Sequence, residues 1–463
     1  MKKSAFLLLL IITSFAAMAQ DITGQWNGVL QVSGIQLRIV FHINKTESQY
    51  SSTMDSPDQG ASGIPVTSTS FENSILNLKL PNAGIEFEGV FKDGIIAGTF
   101  KQRAQTFPLD LKRDEFEKPE LVRPQEPVKP YPYYSEEVSF KNEKAGINLA
   151  GTLTLPGREG NFPVVVLISG SGPQNRDEEL LGHKPFLVIS DYLTRNGIGV
   201  LRYDDRGVAK SEGDFKTATS KDFAADVESA IAYLKTRKEV DKKKIGLLGH
   251  SEGGIIAPMV ASTSKDVNFI VLLAGTGIQG NQLLLIQQEL IGRASGVSES
   301  DLQKSHEISS AVFEMVIKSA NPETLKTDLT AFLTQKIKET PEAEKPAGMS
   351  ESEAVKTQVD QITSPWMNYF IKYDPAPALE KVKCRVLALN GEKDLQVPPE
   401  QNLSAIKAAL LKGGNKNVNA TELPGLNHLF QECKSGLPAE YSQIEQTISP
   451  KVLETITNWI KLK

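Results

Sequence analysis

Residues 244–257, KIGLLGHSEGGIIA, leave a chain few ways to fold. Ile245, Leu247 and Leu248 form a short apolar run that ends in glycine, the pattern of a buried strand. Gly249-His250-Ser251-Glu252-Gly253 follows, and an apolar stretch of helical character comes next. This is G-x-S-x-G between a strand and a helix. A serine on so sharp a strand-to-helix turn is held in strained backbone, and its neighbours have no room for side chains. Gly249, Gly253 and Gly254 leave that room. The turn lifts the Ser251 hydroxyl above the sheet, and the helix N-terminus beneath it offers free N–H groups. The pattern makes Ser251 a candidate nucleophile.

The surrounding chain alternates strands and helices. Residues 138–140 and 147–155 read as opening strands. Residues 163–168, PVVVLI, are a continuous apolar run, as in a strand covered on both faces. Residues 185–195 read as a helix, 197–203 as a strand, and 269–274 as another strand. Phe223, Val227, Ile231 and Leu234 recur at helical spacing within 220–236. The order predicts a mostly parallel α/β sheet. The alternation breaks after Gly277, and 278–365 reads as an inserted helical cap over the C-terminal strand ends, where open sheets of this kind bind ligands. The sheet resumes at 382–390, a helix follows at 401–411, the last strand is 420–423, and 450–462 closes with a helix.

A serine hydroxyl needs a base, and the base needs a third group to hold it. Of the five histidines, His428 directly follows the last strand and is the candidate base. His42 lies in the N-terminal β region and His306 in the cap. His183 reads as a loop or capping residue, and the turn is expected to direct His250 away from the site. Asp394, in the turn after strand 382–390, is the candidate for orienting His428, with Glu392 as the alternative. The backbone N–H of Glu252 is one expected oxyanion donor. The second is expected from the glycine-rich loop Ser169-Gly170-Ser171-Gly172-Pro173, at Ser171 or else Gly172. Asp204, Asp205 and Arg206 read as an ion-pair cluster that fixes loops under the site. No zinc spacing, P-loop or dinucleotide fingerprint is present, and no cofactor or metal is expected.

Residues 20–113 read as β throughout. Ile35, Leu37, Ile39, Phe41 and Ile43 alternate with polar residues, and Lys92-Asp93-Gly94 is a tight-turn signal. The expectation is a small all-β barrel or sandwich, with Trp26 plugging one end of its core. Residues 114–134 carry five prolines and read as a semi-rigid linker to a second domain, 135–463. Met1-Lys2-Lys3, the apolar stretch 5–12 and Ala17-Met18-Ala19 match a signal peptide over 1–19, cleaved after Ala19. An exported, periplasmic or extracellular protein is therefore expected. Nothing later in the chain is apolar enough to span a membrane, and a net charge of −5 with no basic stripe argues against nucleic acid. The two cysteines, Cys384 and Cys433, read as free thiols.

SGSGP at 169–173, YDDRG at 203–207, GHSEGG at 249–254, NGEKD at 390–394 and LNH at 426–428 together resemble the α/β-hydrolase superfamily. They are most similar to exported bacterial esterases of the dienelactone-hydrolase and serine-aminopeptidase-like group. Ser169 stands where many such enzymes carry histidine in an HG motif. The resemblance covers 136–463. It implies an α/β-hydrolase fold with a cap, and acyl transfer to water. Ser251 would attack a carbonyl, His428 would take and return the proton, and Asp394 would hold the imidazole. A small-molecule ester of a small or medium acyl group is the first expected substrate. A peptide or amide cleaved by the same triad is the second, and a non-catalytic binding role is the third. Trp366, Met367, Tyr369 and Phe370 would either wall the acyl pocket or belong to plain core. The β domain is open to a role in glycan or surface contact.

Overall fold

The computed structural model describes residues 21–32, 35–46, 49–57, 61–102, 105–114, 122–341, 345 and 350–462. The expected signal peptide lies outside the described residues. The chain forms two compact units, one over 1–118 with 346–349 and one over the remainder.

The N-terminal unit holds nine antiparallel strands. Its first sheet runs β1 (Gly24–Val32), β2 (Ile35–Lys45), β3 (Tyr50–Ser56) and β4 (Ala61–Val66). Its second runs β5 (Ser68–Glu72), β6 (Ile75–Leu80), β7 (Ile85–Lys92), β8 (Ile95–Gln102) and β9 (Gln105–Leu111). The outer strands meet where Asn27 and Lys112 exchange backbone hydrogen bonds of 2.7 and 2.8 Å. Both sheets turn their apolar alternates inward onto one core that includes Phe41, Phe87 and Phe100. Trp26 is fully buried in that core, donates its indole N–H to the Ile22 carbonyl at 2.8 Å, and lies under the Arg113 guanidinium.

The second unit is built on an eight-stranded sheet in the order β10-β11-β13-β12-β14-β15-β16-β17. The strands are β10 (Tyr134–Asn142), β11 (Ile147–Leu155), β12 (Phe162–Ile168), β13 (Gly199–Tyr203), β14 (Val240–His250), β15 (Phe269–Leu273), β16 (Arg385–Gly391) and β17 (Val418–Leu423). β10 and β11 pair antiparallel, β11 pairs antiparallel with β13, and every later pair is parallel. The unbroken valines of β12 are explained by burial on both faces. Val164, Val166 and Ile168 face α2 (Ser220–Thr236), α3 (Gly253–Ala261) and α10 (Pro399–Lys412). Val165 and Leu167 face α1 (Pro185–Arg195) and α11 (Pro450–Lys461). α2 opens with a capping box between Thr219 and Asp222.

Between β15 and β16 the chain leaves the sheet for α4 (Gly280–Ala294), α5 (Glu299–Lys318), α6 (Pro322–Glu339), α7 (Glu351–Ile362), α8 (Pro365–Lys372) and the short α9 (Ala376–Leu379). Val312, Val316, Leu329, Val355 and Ile371 give these helices a core of their own. A second cluster, Ile255, Leu283, Phe370 and Val397, joins α3, α4 and α8. The helices therefore run past Pro365, and α8 packs on α2, α4, α5 and α7.

The stretch before β10 is fastened rather than loose. Arg123 donates to the carbonyls of Ile444 (2.6 Å) and Ser442 (3.0 Å), and the Gln125 amide bonds the backbone at Thr447 and Ile448. These backbone groups are satisfied by side chains 300 positions away in sequence, a fact that composition does not carry.

Candidate active site

Ser251 sits at the end of β14 in the left-handed region, with φ of +51°. A non-glycine residue holds such a backbone only where its surroundings over-determine it. Here the Ser251 N–H donates to the Leu273 carbonyl at 2.8 Å, and its own carbonyl accepts from Gly254 at 2.9 Å. Helix α3 starts two residues later. A side chain at Gly253 would run into the Ile168 carbonyl, so this glycine is what lets α3 start against the end of β12.

The candidate base and acid meet. His428 Nδ1 lies 2.8 Å from Asp394 Oδ2, with both side chains almost wholly buried. Asp394 is itself clamped. Its Oδ1 accepts from the N–H groups of Gln396 (2.9 Å) and Val397 (2.8 Å), and Oδ2 also accepts from Asn390 Nδ2 (3.2 Å). With Nδ1 engaged, Nε2 is the His428 nitrogen left for a substrate or nucleophile. The alternative acid, Glu392, is exposed and accepts the Gly425 N–H at 2.8 Å, so it braces the loop that carries His428.

The loop after β12 lies against Ser251. A Cβ placed on Gly170 would stand 3.3 Å from Ser251 Cβ. The Gly170 N–H is spent on Glu178 Oε1 at 2.7 Å. The N–H groups of Ser171, Gly172 and Glu252 have no acceptor among the described residues. Ser169, in the place of the HG-motif histidine, turns its hydroxyl to Asp205 Oδ1 at 2.8 Å.

The structure departs from the sequence expectation at His250 and in the Asp204-Asp205-Arg206 cluster, while His183 and the two cysteines match it. His250 does not point away: its ring packs on the His428 ring at 4.9 Å between centroids, and its Nε2 lies 3.1 Å from the His428 carbonyl. The turn redirects the chain at Ser251, one residue too late to swing His250 out. His183 is fully buried, held by the Tyr441 carbonyl (2.8 Å) and the Thr447 hydroxyl (3.1 Å), and burial pushes its imidazole down. Arg206 finds its carboxylate on α2, at Asp226 (2.7 Å), while Asp204 pairs with Arg176. Among the described residues Asp205 has no cation partner. Burial first, then the charges of Glu252 and Glu178, hold its carboxyl well above the usual range. Cys384 and Cys433 are free, and burial pushes the Cys384 thiol up to about 11.

One residue escapes the sequence reading: Glu178 is buried between Gly170 and His250, and the only trace in sequence is an acidic run close behind SGSGP. The carboxyl of Glu252 is buried too, and it accepts from Ser220 Oγ (2.6 Å) and from Trp366 Nε1 (2.8 Å) on α8. Burial raises the Glu252 pKa, and those two hydrogen bonds offset part of the rise. Trp366 and Phe370 stack at 5.1 Å. Among the described residues no helix is long and apolar enough to cross a membrane.

Similarity to known proteins follows the same residues. The family model for serine aminopeptidase, S33, matches residues 186–431, more than half of the chain and including Ser251, Asp394 and His428. Esterase EstD of Thermotoga maritima is 27% identical over 380 residues, covering 80% of this chain and 74% of that protein. Thiohydrolase apmlB of Arthrinium phaeospermum is 32% identical over 151 residues, 32% of this chain and 45% of its own. The solved esterase Pf2001 of Pyrococcus furiosus superposes with a TM-score of 0.41 at 14% identity, over 71% of this chain and 92% of that one. The chain belongs to the serine aminopeptidase S33 family within the α/β-hydrolase superfamily.

Proposed function

We propose that this hydrolase cleaves carboxylic esters of small or medium acyl groups through a Ser251-His428-Asp394 triad and an acyl-enzyme. The observation that carries the reading is the buried His428–Asp394 contact of 2.8 Å, with the His428 ring packed on His250, the residue just before a serine held at φ +51°. Ser251 attacks the ester carbonyl and His428 Nε2 takes its proton. Asp394 keeps the other ring nitrogen protonated and stabilises the imidazolium. The oxyanion is met by the Glu252 N–H and by Ser171 or Gly172, each donor being worth about 3–4 kcal/mol of transition-state stabilisation. His428 then returns the proton to the leaving alcohol, and water repeats the sequence to free the acid. The likeness to an esterase over 80% of the chain supports the ester as substrate.

The family description favours a second reading, an aminopeptidase. Such an enzyme needs carboxylates free to grip a substrate ammonium. Glu252, the acid nearest the nucleophile, is buried, shifted toward its neutral form, and bound to Ser220 and Trp366. That engagement favours the ester. An exported location is part of the same proposal.

The test is a p-nitrophenyl ester series, acetyl through decanoyl, run beside aminoacyl p-nitroanilides. Ester turnover that is lost in Ser251→Ala supports the reading. Turnover of the anilides alone would move the assignment to peptides.

A further inference from the structure

We propose that Glu178 and His250 are positioning residues. One buried carboxylate holds the loop that supplies the second oxyanion donor and, through the His250 ring, the backbone of His428. This deepens the ester-hydrolase reading and rests on the same site.

Glu178 Oε1 accepts from the Gly170 N–H at 2.7 Å and from His250 Nδ1–H at 3.0 Å. His250 Nε2–H donates onward to the His428 carbonyl at 3.1 Å. One oxygen thus ties the end of β12 to the end of β14, and the His250 ring extends the tie to the loop after β17. Each segment carries one part of the proposed machinery; β12 and β14 pair in the sheet as far as Ile168 and Gly249, and the Glu178 contacts begin where that pairing ends. Glu178 is 4% exposed and lies in the left-handed region at φ +50°, a conformation that costs a non-glycine residue about 1–3 kcal/mol. The strain turns its carboxylate inward, under the site.

The direction of the bonds is determined by chemistry. A carbonyl only accepts, and so does a carboxylate, so both ring nitrogens of His250 carry hydrogen. Burial alone would push the His250 imidazole down, but the charge and hydrogen bond of Glu178 outweigh it. A buried ion pair adds little net stability over apolar packing of similar volume. What this one supplies is aim. With the Gly170 N–H fixed on Glu178, the Ser171 and Gly172 N–H groups remain the ones available to an oxyanion. With the His428 carbonyl fixed on His250, the catalytic ring keeps its place against Asp394. Neither Glu178 nor His250 is required to touch substrate.

The test uses the full chain and four variants: Glu178→Ala, Glu178→Gln, His250→Phe and the Glu178→Ala/His250→Phe double. Two rates are read, kcat on p-nitrophenyl acetate and the rate constant for fluorophosphonate labelling of Ser251. Both are expected to fall about 10- to 100-fold in Glu178→Ala and in His250→Phe, with KM nearly unchanged, the size expected for groups that orient another ligand or base. Glu178→Gln retains an acceptor oxygen for the Gly170 N–H but removes the charge that keeps both His250 nitrogens protonated, so it is expected to recover part of the rate. The double variant is expected to be no slower than the worse single, because the two act as one unit. His250→Phe preserves ring volume and serves where Glu178→Ala does not fold. A purely structural pair would lower Tm while leaving both rates within about twofold in the folded fraction, and that result overturns the proposal. Equal loss in Glu178→Gln and Glu178→Ala overturns it too. If the parent labels but hydrolyses no ester, the substrate reading fails while the labelling rates still decide the positioning.

Discussion

Replacing Asp394 with asparagine tests the proposed triad at its most constrained point. The carboxylate accepts four hydrogen bonds: two backbone N–H groups on Oδ1, from Gln396 and Val397, and two side chains on Oδ2, from Asn390 and His428. An amide has one oxygen to replace two. The backbone donors cannot turn, so the asparagine oxygen is expected to stay with them and its NH2 to face His428. An NH2 group can bond Nδ1 only if that nitrogen presents its lone pair. The ring proton then moves to Nε2, which can no longer accept from Ser251. A wrong tautomer of this kind costs about 10⁴ in kcat, or roughly 5.4 kcal/mol at about 1.36 kcal/mol per tenfold. KM is expected to change little, because Asp394 is 2% exposed and out of reach of substrate. The assay is kcat and KM on p-nitrophenyl acetate near neutral pH, with far-UV circular dichroism to confirm folding. A folded Asp394→Asn with kcat within about tenfold of the parent would refute the reasoning, since a tautomer trap cannot be that mild.

Gly253→Ala places a methyl against the Ile168 carbonyl, so the β12–α3 contact must open. Overpacking of this kind is expected to cost about 1–3 kcal/mol, read as a lower urea midpoint at unchanged m. Arg206→Met strands Asp226, which is 1% exposed and bonded to the guanidinium at 2.7 and 2.8 Å. The expected loss is about 3–5 kcal/mol by the same urea measurement. The pKa of Glu252 is raised by burial, so the stability it contributes is full below the ordinary glutamate range of about 4.3 and is lost as pH rises through the raised value. Tm of the parent is therefore expected to fall relative to that of Glu252→Gln as pH rises from the ordinary glutamate range through the raised value. Amino-terminal sequencing of exported protein is expected to begin at Gln20.

The legible parts of this chain were those that local rules govern. The Ser251 turn is written in glycines because sterics admit little else at a strained serine. Helices α1 and α2 fall at the bounds read from the sequence, 185–195 and 220–236, the second marked by apolar residues at helical spacing. The meeting of Asp394 with His428 could be anticipated because each follows a strand, and strands deliver loops to the same edge of a parallel sheet. What escaped was partnership. Glu178 reads as one more charge in an acidic loop, and only the folded chain shows it under Gly170 and His250. His250 turned the other way because direction at a sharp turn depends on which residue bends. Arg206 chose Asp226, 20 positions on, over its own neighbours, and Arg123 and Gln125 found carbonyls more than 300 positions away. Sequence patterns report periods and turns, and these pairings depend on where distant segments are packed.

The central claim is that Ser251 is the nucleophile and His428 its base. The most direct measurement is to label the purified protein with a fluorophosphonate and map the adduct by peptide mass spectrometry, beside His428→Ala. An adduct on Ser251 alone, formed far more slowly in His428→Ala, is the predicted result. An adduct on a different serine, or labelling of Ser251 at the same rate without His428, would contradict the account.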